Sequence, residues 1–147
     1  MILMLDNNIV IDFLALREPF FETSRKVILL GASGESMNYI TVPMLTDIYF
    51  LLKKDYGPTQ AQDLIEQNLS SLNLVGVSTE DALWCLQQRW QDFEDSLVAR
   101  AAENVKANYI VTRDKNGFRH SLVPAITPDE LFELLRVRGI TYTDLEL

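Results

Sequence analysis

The run Ile2-Leu3-Met4-Leu5 carries no polar residue and breaks off abruptly at Asp6-Asn7-Asn8. A strand that is apolar at every position has no solvent face, so it belongs inside a sheet covered on both sides. Similar short runs follow at Met37–Val42, Leu72–Val77, Tyr109–Val111 and Val123–Ile126, each separated from the next by stretches with helical spacing. Strands alternating with one or two helices predict a three-layer α/β/α sandwich with a central parallel sheet. In such a fold ligands bind at the carboxyl ends of the strands.

The intervening helices announce their ends. Asn7 or Asn8 is expected to cap a helix over Ile9–Leu16, ahead of Pro19, and a second runs from about Phe20 to Leu30, ending near Gly31 and Gly34. Pro43 opens MLTDIYFLLKKDYG, which closes on Lys53, Lys54 and Gly57, and Pro58 starts the next helix through about Leu69. Ser78 is placed to cap a helix with Asp81 in its first turn. Thr127-Pro128-Asp129-Glu130 is a capping box with proline at the first helical position, leading a helix to about Val137.

With 147 residues the chain makes one ordinary domain, expected over residues 1–137, with the weakly patterned RGITYTDLEL (138–147) as a C-terminal tail. No apolar run nears the roughly 20 residues that cross a bilayer, and MILMLD lacks the features of a secretory signal, so a cytoplasmic protein without membrane contact is expected. Cys85 and one histidine rule out a thiolate or imidazole metal site. A net charge of −8 argues against a broad basic surface for nucleic acid. It leaves room for a metal-dependent nuclease, because carboxylates that hold cations count as negative in the sequence yet present positive charge to a substrate.

The acids are where chemistry is expected. Asp6 follows the first strand, Asp47 lies early in the helix after the second, Asp95 lies in the helix before the fourth, and Asp114 follows the fourth. Asp92 and Asp95 stand three apart, in line with Ala99 and Ala102, which should face the core. Carboxylates gathered at one sheet edge repel unless cations hold them together, and all-oxygen ligation suits Mg²⁺ or Mn²⁺. Read singly, each acid also has a plain explanation. Asp6 suits a helix cap, Asp47 a helix surface, Asp92, Glu94 and Asp95 a helix start, and Asp114 a turn.

The blocks LDNNIVIDFL, MLTDIYFLL, DFEDSLVARAA, NYIVTRDKNGF and TPDELFELL, taken in order and spacing, resemble the motifs of PIN domains, most closely the bacterial VapC-like branch, over roughly residues 2 to 135. The resemblance implies a metal-dependent endoribonuclease that hydrolyses RNA phosphodiester bonds, the toxin of a type II toxin–antitoxin pair. It implies Asp6, Asp47, Asp95 and Asp114 as catalytic acids. Asp6, Asp95 and Asp114 would bind Mg²⁺ (or Mn²⁺), supported by Asn8, Thr112 and the additional acid Asp92. Expected partners are RNA, a cognate antitoxin protein and a second copy in a homodimer.

Two positions depart from the pattern: Asp47 stands where the family usually has Glu, and Asn7 where it usually has Thr. They motivate an alternative, a PIN-fold protein with lost or reduced catalysis acting as a protein- or RNA-binding module. A phosphoacceptor signalling domain also places acids at strand ends. The third strand here ends on Val77-Ser78-Thr79 without an Asp, and no suitable lysine follows a late strand. His120 is expected on the surface and Cys85 in the core, with Trp84 and Trp90 filling core or interface. Arg113, Lys115 and Arg119 are available to phosphates or to solvent, and Tyr49, Phe50, Phe20 and Phe21 offer apolar surface for a partner.

Overall fold

The computed structural model describes residues 1–139, so most of the expected tail, residues 140–147, lies outside the described residues. Strands β1 (Ile2–Leu5), β2 (Met37–Thr41), β3 (Asn73–Val75), β4 (Tyr109–Val111) and β5 (Ala125–Ile126) form one sheet in the order β3-β2-β1-β4-β5, with every neighbouring pair parallel. Seven helices flank it among the described residues: α1 (Asn7–Leu14), α2 (Phe21–Ala32), α3 (Met44–Tyr56), α4 (Pro58–Asn68), α5 (Thr79–Gln88), α6 (Phe93–Asn104) and α7 (Pro128–Val137). The expected α/β/α sandwich is therefore the fold.

The connectivity fixes where a ligand can sit. The chain leaves β1 for β2 and β3 on one side, then returns across β1 to build β4 and β5 on the other. Strand order thus reverses between β1 and β4, and a crevice opens at the carboxyl ends of a sheet at such a reversal. The register sets Leu5 beside Val111, and the Asp6 backbone N–H donates to the Val111 carbonyl at 3.0 Å. Asp6 and Thr112 are accordingly next to each other at the crevice floor.

The apolar run that opens the chain is buried as its composition requires: Leu3, Met4 and Leu5 are all fully covered, as are Ile110 and Val111 on the neighbouring strand. Helix α6 lies across β1, β2 and β4 and α5 packs on α6, while α2 and α3 lie against β2 and α1 packs on both. Cys85 is buried, its thiol donating to the Ser96 carbonyl at 3.3 Å.

Several element ends differ from expectation. Helix α1 starts at Asn7 because its cap is Asp6, whose carboxylate accepts from the Asn7 N–H at 2.7 Å, and not Asn7 or Asn8. Helix α2 ends at Ala32, between Gly31 and Gly34 as expected, with Gly31 inside its last turn. A Cβ there would stand 2.7 Å from Asn38 Nδ2 and 2.8 Å from the Ser71 carbonyl, so glycine lets the helix approach the sheet. Strand β3 is shorter than the apolar run Leu72–Val77 and leaves Leu74 41% exposed, because it is an edge strand paired on one side only. Strand β5 likewise keeps only Ala125 and Ile126.

Candidate active site

Asp6 is 7% exposed and held from three directions. Its Oδ1 accepts from the Asn7 N–H, and its Oδ2 accepts from Asn8 Nδ2 at 2.8 Å and from the Thr112 hydroxyl at 2.7 Å. The same Thr112 oxygen accepts from the Asp114 backbone N–H at 3.0 Å. One hydroxyl on β4's exit therefore links the carboxylate after β1 to the one after β4. Burial pushes the Asp6 carboxyl above the usual range, against the lowering effect of these hydrogen bonds, and the negative charges of Asp114 and Asp92 push it further the same way.

Asp95 enters from the first turn of α6, where Asp92 is the cap: Asp92 Oδ1 accepts from the Glu94 N–H at 2.9 Å and from the Asp95 N–H at 3.4 Å. Ala99 and Ala102, in line with these acids, are buried as expected. The Asp95 side chain accepts no hydrogen bond among the described residues. Burial, then the charges of Asp6, Asp92 and Asp114, push its carboxyl up to about 7. Asp114 caps the 3-10 turn Lys115–Phe118, its Oδ1 accepting from the Gly117 N–H at 3.4 Å.

Gly117 is necessary for this arrangement. A Cβ on it would collide with Asp95 Oδ2 and stand 3.5 Å from Asp114 Oδ2, so the missing side chain leaves the space into which both carboxylates point. Asp92, Asp95 and Asp114 thus line one cleft, the charge of Asp6 reaches Asp95, and no Lys or Arg pairs with any of the four among the described residues. The donor set is all carboxylate, which fits a hard divalent cation. No three of these side chains among the described residues already stand in ligand geometry around one point. It is the chemistry and the cradle beside Gly117 that fit an ion, not a preformed cage.

Asp47 is the acid set apart. It lies in the first turn of α3, against Glu94, and it does not line the cleft of Asp92, Asp95 and Asp114. Glu94 stands between the two groups. Burial comes first, then the charge of and hydrogen bond with Asp47, then Asp92 and Asp6; together they push its carboxyl up to about 7. Asn7 Nδ2 donates to Glu94 Oε1 at 3.4 Å, while Asn7 Oδ1 is buried without a partner. Sequence reasoning set Glu94 aside as helix-start charge. The signal that was available is its place one residue before Asp95, on the face that turns toward α3.

A buried clamp holds the loop that carries Thr112 and Asp114. Asp12 of α1 is fully buried and pairs with Arg113 through two contacts, Nε to Oδ2 at 2.6 Å and Nη2 to Oδ1 at 3.3 Å. The Arg113 guanidinium also lies 4.0 Å from the Phe20 ring centroid, and Phe21 stacks on Phe13 with centroids 6.2 Å apart. Of the four aromatics expected to meet a partner, Phe20 and Phe21 are therefore engaged by other elements, while Tyr49 and Phe50 contact each other with centroids 5.7 Å apart. Lys115 is tied to Glu130 at 2.7 Å. Of the three cations near Asp114, only Arg119 lacks a carboxylate partner among the described residues.

The sequence of residues 3–116 matches the family model of the PIN domain. No curated protein matches the chain. Solved structures share the fold at low identity. A chain of DNA-bound VapBC from Salmonella typhimurium is 20% identical, with a TM-score of 0.67, covering 87% of this chain and 98% of that one. VapBC2 of Rickettsia felis, bound to a DNA fragment from its promoter, is 19% identical, with a TM-score of 0.64 over 86% and 98%. Mycobacterium tuberculosis VapC20, described as a sarcin-ricin loop cleaving toxin, is 12% identical, with a TM-score of 0.62 over 78% and 92%.

Proposed function

The chain belongs to the PIN domain family, and from that premise we propose that it is a divalent-metal-dependent endoribonuclease, the toxin of a type II toxin–antitoxin pair. The observation that carries this reading is that Asp95 and Asp114 line one cleft with Asp92, within reach of the charge of Asp6, and that no Lys or Arg pairs with any of the four among the described residues. Such a cluster is costly to hold empty and becomes favourable around Mg²⁺ or Mn²⁺.

Asp6, Asp95 and Asp114 would hold the ion, which when bound supplies a water of lowered pKa and polarises a phosphodiester oxygen. The remaining work falls to the chain itself. Thr112 and Asn8 fix the Asp6 carboxylate by donating to it, and the Arg113–Asp12 clamp sets the loop from which Asp114 projects. The Asp95 carboxylate, which accepts no hydrogen bond among the described residues, is able to turn toward a ligand. Asp92 orders the first turn of α6 and adds negative charge. Asp47 acts through Glu94, which it touches, and these two form the outer rim of the acidic site.

The test is RNA cleavage with Mg²⁺ or Mn²⁺, comparing the unmodified protein with Asp6→Asn and Asp95→Asn. Loss of cleavage in both variants is expected. Equal activity in all three proteins, or none with any metal and RNA tried, removes the nuclease reading. The placement of Asp47 against Glu94, apart from the other acids, favours one second reading: a PIN-fold binding module with lost or reduced catalysis. Calorimetric titration with Mn²⁺ separates the two, since a module that has lost catalysis binds no ion yet holds a protein or RNA partner.

Two further parts of the proposal rest on surface. An apolar hollow of about 570 Å³ between α3 and α4 is lined by Leu45, Tyr49, Ile65 and Leu69, and Phe50 beside it is 59% exposed. We assign this face to protein partners, an antitoxin or a second copy, as in the VapBC complexes that share the fold. No described helix is long and apolar enough to cross a membrane, and the cytoplasm, where RNA is met, is the proposed location.

A further inference from the structure

The acidic cleft does not end at Asp95 and Asp114. It opens, past Trp90, Gln91, Arg119 and His120, into a second cavity of about 630 Å³ that extends to Trp84, Arg89 and Leu122. The shared residues make the two hollows one groove. A cavity of this size is in the range that holds a small organic ligand. Its walls carry apolar and aromatic surface: Trp84 is 37% and Leu122 83% exposed, and Trp90 meets His120 edge-on with ring centroids 6.1 Å apart. Trp84 keeps this exposure with the Arg100 guanidinium over its ring, and Trp90 is half-buried beside the polar cleft.

The charges along the groove are sorted in a telling way. Arg113 is bound to Asp12, Lys115 to Glu130, and Arg100, whose guanidinium lies 4.7 Å from the Trp84 ring centroid, to Asp81 and Glu103. Arg119 donates only to His120 Nε2 at 3.2 Å and to the Asn116 carbonyl at 3.4 Å, and Arg89 pairs with no carboxylate among the described residues. In a chain of net charge −8, Arg89 and Arg119, neither paired with a carboxylate among the described residues, both line the same groove. Unpaired guanidinium beside exposed indole is the surface that recognises phosphate and a splayed base together.

We propose that this groove seats a nucleotide of single-stranded RNA flanking the cleaved phosphate, its base against Trp90 and Trp84 and its phosphate at Arg119 and Arg89. The proposal rests on the nuclease reading for the identity of the nucleic acid, and it names Trp90 and Arg119 as substrate-binding residues that no part of the acidic cluster requires. A duplex is excluded as the occupant, because a paired and stacked base cannot reach the indoles.

The chain has two tryptophans, and both line the groove, so tryptophan fluorescence, excited selectively over the five tyrosines, reports on this site. The experiment titrates the protein in EDTA with a single-stranded 2′-O-methyl RNA hexamer and, separately, with a duplex of the same sequence. Saturable quenching by the single strand and none by the duplex is expected. Trp90→Ala should weaken binding about 5- to 100-fold, the range for losing one stacked base. Arg119→Ala, an exposed position that does not threaten folding, should weaken it and reduce its salt dependence by about one released ion. Equal quenching by the duplex, or unchanged affinity in Arg119→Ala, overturns the proposal, as does quenching by a co-purifying protein partner but by no oligonucleotide. If metal-dependent cleavage proceeds with unchanged KM in both variants, the groove assignment falls and the nuclease stands. If the hexamer binds as described and no RNA is cleaved, the nuclease falls and the groove stands.

Discussion

The Thr112 hydroxyl donates to Asp6 Oδ2 and accepts from the Asp114 N–H, so one side chain sets the spacing of carboxylates on two adjacent strands. Thr112→Val keeps the shape and removes both bonds; Mn²⁺ affinity measured by calorimetry should drop about 10- to 100-fold, the usual cost of losing a ligand's supporting partner. Thr112→Ser should restore most of it, and an unaltered affinity in the valine variant would show that Asp6 is held some other way. The same cluster dictates a pH dependence. Asp95 and Glu94 have carboxyls pushed up to about 7 in the folded chain, and Asp6 is raised as well. A raised folded value contributes stability that is complete below the ordinary carboxylate range and is lost as pH rises through 7, because the unfolded chain gives up its protons first. Without metal, Tm should therefore fall between about pH 5 and about pH 7.5, and Mn²⁺ should reverse the fall by replacing protons with an ion. Asp81, Glu130 and Glu133 are held below their ordinary values by arginine or lysine partners and titrate beneath that window. A flat Tm in EDTA, or an equally steep one in Asp95→Asn, would count against this account.

At the scale of elements, the loop after β4 is tied to β5 by the Thr112 N–H, which donates to the Ile126 carbonyl, and to α1 by a buried ion pair. Removing Arg113 leaves the fully buried Asp12 without its cation. Arg113→Leu should cost about 3 kcal/mol in denaturant unfolding, the low end for breaking a buried pair, since Arg113 remains a third exposed. Replacing Asp12 as well, by Leu, should recover most of that loss, because two apolar groups leave no charge stranded; no recovery would mean that the pair serves packing more than charge. Much of this level was legible in the chain. Ser78 caps α5 by accepting from the Asp81 N–H, and Thr127 and Glu130 close a complete capping box on α7, as local spacing predicts. The exceptions have different causes. Asp6 caps α1 in place of Asn7 or Asn8 through a local bond to the Asn7 N–H, while the packing of Gly31 against Asn38 and Ser71 and the shortening of β3 to three residues depend on neighbours distant in sequence.

At the scale of the whole molecule, the apolar face beside α3 is the one to test for self-association. Phe20 and Phe21 are engaged by Arg113 and Phe13, which leaves Phe50 as the most exposed of the four aromatics proposed for a partner. Light scattering of the unmodified protein should give the mass of a dimer and Phe50→Asp a lower one, whereas a monomer in both would remove the second copy from this face and leave it to an antitoxin. The alternation of apolar runs with helical stretches determined the α/β/α sandwich by itself, because burial on both faces is a property of composition along each strand. The order of the motifs pointed to the acids in the same way. Only the tertiary structure decided which acids meet. The strand order brings β1 beside β4, and so Asp6 to Thr112 and Asp114, while Gly117 makes room for Asp95. The approach of α6 to α3 sets Glu94 against Asp47, a contact between residues 47 positions apart in the chain that no local spacing encodes. The opening of the acidic cleft onto Trp90, Trp84 and Arg119 has the same origin, since it depends on which cations other elements have already neutralised.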